Sequence, residues 1–255
     1  MMATASPFSL DGRTALVTGA NTGIGQGIAL ALAQAGARVV AAGRSSMAET
    51  EALIAEAGGT CFPLQADLQQ ECIAARVIEQ AQELAGPLDI LVNNAGIIRR
   101  ADALDFSESD WDEVMNLNLK ANFFLAQAFA KAALAAGRAG RIVNIASLLS
   151  FQGGIRVASY TASKSGLAGL TRLLACEWAA KGINVNAIAP GYVESNNTEA
   201  LRADPGRNAA ILARIPAGRW GMPSDIGGAA VFLASDAAAY IHGAVLPVDG
   251  GWLAR

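Results

Sequence analysis

The chain has 255 residues, of which 53% are hydrophobic and 16% charged, and its formal net charge is −3. No basic block runs through it, so the electrostatic footprint of a nucleic-acid or membrane-surface binder is missing and small molecules are the better partner class. Cys61, Cys72 and Cys176 are scattered and read as reduced, mostly buried thiols; with His242 as the single histidine, no metal site is expected.

Met1–Leu10 carries neither a basic region nor a long apolar run, and no segment has the apolar length to cross a bilayer, which predicts a soluble cytoplasmic protein. Strand and helix patterns then alternate without a linker, predicting one α/β domain over residues 1–255. The apolar content suits a parallel sheet buried on both faces, with extra burial between subunits. Thr14–Thr18 reads as the first strand, ending at Gly19, and Ile24, Ile28 and Leu32 mark an amphipathic helix that stops near Gly36. Between them lies Gly19-Ala20-Asn21-Thr22-Gly23-Ile24-Gly25. Its glycines let the backbone approach a diphosphate, and the helix start offers free N–H groups, so a nucleotide site follows although the spacing is not G-x-G-x-x-G.

Arg38–Ala42 is the second strand, with Gly43-Arg44-Ser45 at its tip, where a dinucleotide fold meets the adenosine ribose. An arginine without an acid leans towards a 2′-phosphate and NADP(H), unless Arg44 simply faces solvent. Ser46–Ala57 is a helix and Cys61–Gln65 a strand leading to Ala66-Asp67-Leu68, where Asp67 either accepts from an adenine amino group or caps a helix starting near Gln69. Leu88–Val92 runs into Asn93-Asn94-Ala95-Gly96, a polar turn that either lines a crevice or ties loops together. A long helix extends from a Ser107 cap through Trp111 to about Ala136. Within it, the amide of Asn118 needs a partner or a water, and such a water could relay protons.

Arg141–Ala146 delivers Ser147 at a strand end, and a helix over Val157–Ala179 places Tyr160 beside Lys164, four residues apart on one face. A free tyrosine has a pKa of about 10, and a neighbouring ammonium lowers it, making Tyr160 a usable acid or base while Ser147 holds a substrate oxygen. Ile183–Ala189 is the sixth strand, followed by Pro190-Gly191 and a polar, irregular stretch over 192–214 that reads as a mobile cover. Pro223 opens a last helix, and Ala244–Val248 is the final strand before Asp249-Gly250-Gly251.

Thr18-Gly19 with Gly23 and Gly25, Asn93 to Gly96, Asn118, Ser147, Tyr160-x-x-x-Lys164 and Pro190-Gly191, in this order, resemble the short-chain dehydrogenase/reductase family across essentially the whole chain. The resemblance implies a three-layer, Rossmann-like, doubly wound and mainly parallel sheet of seven strands with helices on both faces. It implies a catalytic set of Asn118, Ser147, Tyr160 and Lys164, in which Lys164 also holds the nicotinamide ribose and Asn118 positions a relay water. The cofactor contacts implied are Gly19, Asn21, Thr22, Gly23, Ile24, Gly25, Arg44, Asp67, Leu68, Asn94, Ala95, Gly96, Tyr160, Lys164, Pro190, Gly191 and Val193. A homotetramer is implied as well.

Longer strings, Asn93 to Arg100, Ile145 to Gly154, Arg214 to Gly221 and Asp249 to Arg255, resemble the branch that interconverts 3-deoxy-D-glycero-2,5-hexodiulosonate and 2-dehydro-3-deoxy-D-gluconate in uronate and pectin breakdown. That branch favours NAD(H), whereas Gly43 and Arg44 favour NADP(H); both stay open. A keto sugar acid needs a cation and hydroxyl-reading groups, for which Arg100, Arg156, Arg214, Gln152, Asn196 and Asn197 are present, with Gln152 and Asn197 preferred as substrate residues beside Ser147 and Tyr160. Alternatives are a gluconate 5-dehydrogenase, a 3-oxoacyl-thioester reductase, and a dinucleotide-sensing or scaffold protein without turnover.

Overall fold

A computed structural model of the chain describes residues 6–255, so the first half of the Met1–Leu10 reading lies outside the described residues. Seven strands form one sheet in the order β3-β2-β1-β4-β5-β6-β7. They are β1 Thr14–Thr18, β2 Arg38–Gly43, β3 Thr60–Gln65, β4 Ile90–Asn93, β5 Gly140–Ile145, β6 Ile183–Pro190 and β7 Val245–Val248. Every neighbouring pair is parallel. β1, β4, β5 and β6 are buried along their whole length, as continuous apolar runs demand when helices cover both faces. The strand order reverses between β1 and β4, and the carboxyl ends of those strands open the crevice in which such sheets bind ligands.

The helices are α1 Gly23–Gln34, α2 Ala48–Glu56, α3 Ile73–Ala85, α4 Glu108–Met115, α5 Asn122–Ala135, α6 Ala158–Trp178, α7 Glu199–Ala203, α8 Pro205–Leu212 and α9 Pro223–Ala234. One core lies where α3 and α5 meet the sheet around Leu16, Leu91, Phe129 and Ile142. The other lies where α1 and α9 meet it around Val17, Ile28, Leu32, Val92 and Ile226. α1 buries Gly25, Ile28, Ala29, Leu32 and Ala33, the one-face spacing of a helix packed on a sheet.

Four local expectations are corrected. The helix after β3 starts at Ile73 and not near Gln69, because Asp67 accepts from the Gln69 N–H at 3.0 Å in a tight turn and Cys72 takes a left-handed conformation with φ 54°. The long helix after Ser107 is divided by a π-helical stretch, Asn116–Ala121, between α4 and α5. The 192–214 stretch is not irregular: it contains a 3-10 turn at Asn196–Thr198 followed by α7 and α8. Asp204 caps α8 by accepting from the Gly206 and Arg207 N–H groups, with Pro205 in the first turn, and Leu201, Ile211 and Leu212 pack on Trp220 and Trp252. Cys72 and Cys176 are exposed and Cys61 half-buried: Cys72 is the left-handed residue just before α3, and Cys176 lies on an outward face of α6. No helix among the described residues is long and apolar enough to cross a membrane.

Candidate active site

β1 ends at Gly19, whose φ of 64° is left-handed, and α1 begins four residues on with Thr22 as its N-cap. The Thr22 side chain makes no capping bond, which leaves the N–H groups of the first turn free for an anion. Space at the turn is scarce: a Cβ on Gly25 would fall 2.1 Å from the Gly19 carbonyl and 2.4 Å from Asn94 Nδ2. That amide donates to the carbonyls of Thr18 at 2.9 Å and Gly19 at 3.1 Å, while the Thr18 hydroxyl accepts from the N–H groups of Asn94 and Ala95. Asn94 therefore clasps the ends of β1 and β4, and Asn93, fully buried, donates to the Asn122 carbonyl and to Asn144 Oδ1. These contacts are structural for both side chains.

A cavity of about 170 Å³ beside this clasp is lined by Gly19, Asn21, Gly43, Arg44, Asp67, Leu68, Ala95 and Gly96. Asn21 Nδ2 donates to the Ser45 hydroxyl at 3.0 Å, bringing the glycine turn against the β2 tip. Arg44 is exposed and reaches Gln69 only at 3.5 Å, so its charge is uncompensated at the mouth of the cavity. Uncapped N–H groups, a backbone that approaches closely and a free cation suit a dinucleotide diphosphate and an adenosine phosphate. A cavity of about 810 Å³ between α3 and α5 is larger, but its lining holds none of the predicted acid–base residues. Chemistry favours the smaller one.

At the carboxyl end of β5, Ser147 takes an extended backbone, and its hydroxyl accepts from the Leu149 N–H at 3.2 Å. Burial raises the Tyr160 phenol above its ordinary value, while a hydrogen bond with the Ser147 hydroxyl and the charge of Arg100 pull it down. Lys164, on the next turn of α6, is buried; its Nζ donates to the Ile145 carbonyl at 2.6 Å and stands 5.6 Å from the Tyr160 ring centroid. Burial lowers this lysine to about 8. Helical spacing predicts that Lys164 lowers the tyrosine pKa; in the structure burial dominates and raises it, the lowering influences are Ser147 and Arg100, and one Lys164 N–H goes to the Ile145 carbonyl, leaving two donors over.

Asn118 sits in the π-helical stretch and is fully buried. Its Oδ1 accepts from the Ile97 N–H at 2.9 Å, and its Nδ2 donates to the Ile97 carbonyl and to Ser163 Oγ. Both halves of the amide find protein partners, the first of the two alternatives, a partner or a water, that its burial requires. A Cβ on Gly96 would meet Asn118 Oδ1 at 3.1 Å and Lys164 Nζ at 3.7 Å, which places both residues against the Gly96 turn.

The 192–214 segment touches this region at Gly23 and Arg100. A Cβ on Gly23 would meet Ser195 at 3.4 Å, and Arg100 donates to the Asn197 carbonyl at 2.9 Å, so Asn197 is held through its backbone. Val193 bridges to Gly221, and Gly191 packs against Asp249, fixing the segment's base. Gln152 meets Trp252, Arg214 stacks on the same indole with its guanidinium 4.0 Å from the ring centroid, and Arg156 stays on the rim, 3.6 Å from Asp102. Arg100, one of three arginines the sequence offers as a substrate cation, is the one whose charge reaches the phenol.

Residues 19–253 match the family model described as enoyl-(acyl carrier protein) reductase. A 2-dehydro-3-deoxy-D-gluconate 5-dehydrogenase from Escherichia coli (strain K12) is 58% identical over 98% of this chain and 99% of its own length, and one from Dickeya dadantii (strain 3937) is 55% identical over 97% and 98%. A crystal structure from Agrobacterium tumefaciens, provisionally described as a 2-deoxy-d-gluconate 3-dehydrogenase with bound NADP, is 66% identical, superposes with a TM-score of 0.93, and is matched over 98% of this chain and 100% of that one. The chain belongs to the short-chain dehydrogenase/reductase family. It is an NAD(P)-dependent oxidoreductase.

Proposed function

We propose that the chain interconverts a keto group and a secondary alcohol on a small sugar acid, the pair being 3-deoxy-D-glycero-2,5-hexodiulosonate and 2-dehydro-3-deoxy-D-gluconate in uronate and pectin breakdown. The observation that carries this reading is the buried Lys164, its Nζ 5.6 Å from the Tyr160 ring centroid one turn along α6, with Ser147 at the end of β5. The names of the relatives from E. coli and D. dadantii support the substrate. Ser147 holds the substrate oxygen, Tyr160 delivers or removes its proton, and Lys164 binds the nicotinamide ribose; the bound dinucleotide supplies the hydride. Asn118 braces the Ile97 turn against α6. Arg100 is the arginine whose charge is felt at the reacting phenol and so the group for the substrate's carboxylate.

The sequence is one domain in which residues 192–214 form the substrate lid. Glycine turn, Asp67, the Asn94 clasp and the Pro190–Val193 base hold the cofactor, with the polar Glu194–Thr198 stretch disfavouring a long acyl chain and hence the thioester-reductase alternative. The exposed Trp111 and Phe124 on α4 and α5, with Leu173 on α6, support a homotetramer built on these helices. The setting is cytoplasmic.

NADP(H) is the preferred cofactor, because Gly43 puts no carboxylate at the ribose and Arg44 is free there. A steady-state assay of hexodiulosonate reduction with NADH and NADPH in parallel tests this, Arg44→Ala raising KM for NADPH roughly tenfold with little change for NADH. No turnover with either cofactor sinks the substrate.

Burial of the phenol fixes the pH dependence. Reduction uses protonated Tyr160 and stays flat through neutral pH, whereas alcohol oxidation needs the phenolate and climbs roughly tenfold per unit from about pH 7 upward. Profiles of kcat/KM in both directions read this out, and an oxidation limb flat from about pH 7 to about pH 10 removes Tyr160 as the base.

A further inference from the structure

Both ends of the proposed lid meet on one side chain. Tyr192, where the segment begins, stacks on Trp252 with ring centroids 4.6 Å apart, and Arg214, where it ends, lies over the same indole at 4.0 Å. Trp252 is 4% exposed although it stands three residues from the end of the chain. Its 3-10 turn is pinned by the Asp249 carboxylate, which accepts from the N–H groups of Gly251 at 2.8 Å and Leu253 at 2.9 Å. Arg255 ties the terminus to the Ala213 carbonyl at 2.8 Å. A ring held this firmly has its one polar atom aimed in one direction. That atom, Nε1, donates to Gln152 Oε1 at 3.2 Å, on the turn that follows Ser147.

We infer that Trp252 is a positioning residue, fixing the Gln152 amide so that its N–H₂ group and not its oxygen is presented to the substrate. This rests on reading the site as that of a keto sugar acid dehydrogenase. An indole N–H only donates, so it captures the acceptor half of the amide and leaves the donor half over. The Gln152 nitrogen has no protein partner among the described residues. The surplus donor matches oxygens that only accept, a carboxylate or a ketone, and disfavours a ligand that must donate at that point. The same indole holds both ends of the lid, so substrate reading by Gln152 and lid geometry share one support.

Trp252→Phe keeps a flat ring between Tyr192 and Arg214 and removes only the donor. The expected result is a KM for the keto sugar acid raised roughly tenfold, with kcat and the Kd for NADPH within about twofold of wild type. Gln152→Ala raises KM by a similar or larger factor, and the double variant is no worse than Gln152→Ala alone, because the indole acts through the amide. An unchanged KM in Trp252→Phe overturns the inference, and so do effects that multiply in the double variant. A fall in kcat together with weaker NADPH binding marks the indole as general scaffolding and also overturns it. Wild-type enzyme that binds NADPH but leaves keto sugar acids untouched sinks the underlying reading, and the inference with it.

Discussion

Tyr160→Phe is expected to lower kcat by about 10²–10⁴-fold while the Kd for NADPH stays within about twofold of wild type. The substitution removes one oxygen from a side chain that α6 and the β5 end hold in place, so the fold and the dinucleotide clasp are untouched. What disappears is the proton that the substrate oxygen needs. Ser147 cannot substitute, because a hydroxyl between a Leu149 N–H and the substrate offers hydrogen bonding but no accessible ionisation. The same burial that raises the phenol keeps it protonated at neutral pH, in the form that reduction uses. Single-turnover rates with NADPH and equilibrium binding of the cofactor separate the two effects. A variant retaining more than about a tenth of wild-type kcat would remove Tyr160 from proton transfer.

Gly25→Ala is expected to cost stability at the upper end of the roughly 1–3 kcal/mol typical of overpacking, and to abolish dinucleotide binding. The added Cβ would meet a backbone oxygen, Gly19 O, at 2.1 Å and the Asn94 amide at 2.4 Å. A flexible side chain could swing aside, but this carbonyl belongs to the turn proposed to receive the diphosphate, and the amide is the clasp between β1 and β4. Relief of the clash must therefore open the turn, the clasp, or both. For a chain of this size each kcal/mol lowers Tm by about 2–4 °C, so a melt shows a drop of several degrees. A titration with NADPH shows the lost site. A variant that melts like wild type and binds NADPH normally would show that the turn tolerates a side chain.

Much of this molecule is legible along the chain. Parallel strands buried on both faces are written as short apolar runs, and β1, β2 and β6 fall where Thr14–Thr18, Arg38–Ala42 and Ile183–Ala189 are predicted. The glycine turn and the four-residue step from Tyr160 to Lys164 are local spacings with one geometric meaning. Those features depend on neighbours in sequence, whose contacts the backbone itself enforces.

Long-range contacts decided the remainder. That Asn94 ties its loop to the chain is decided by Thr18 and Gly19, residues brought alongside by the pairing of β1 with β4. The Ile97 backbone claims both halves of the Asn118 amide within a π-helical stretch, an insertion that apolar periodicity over 107–136 conceals. The tyrosine's environment is set first by burial and then by Ser147 and Arg100, while the adjacent Lys164 donates to the Ile145 carbonyl. Gln152 and Trp252 are distant in sequence and meet only because β5 and β7 end at the same edge of the crevice. Composition, order of elements and local spacing thus determined by themselves the fold class, the glycine turn after β1 and the placing of Tyr160 and Lys164 on one face of α6. The tertiary structure alone decided which polar groups are spent holding the frame and which are left over for a ligand, because a hydrogen bond can be assigned only when both partners are in place.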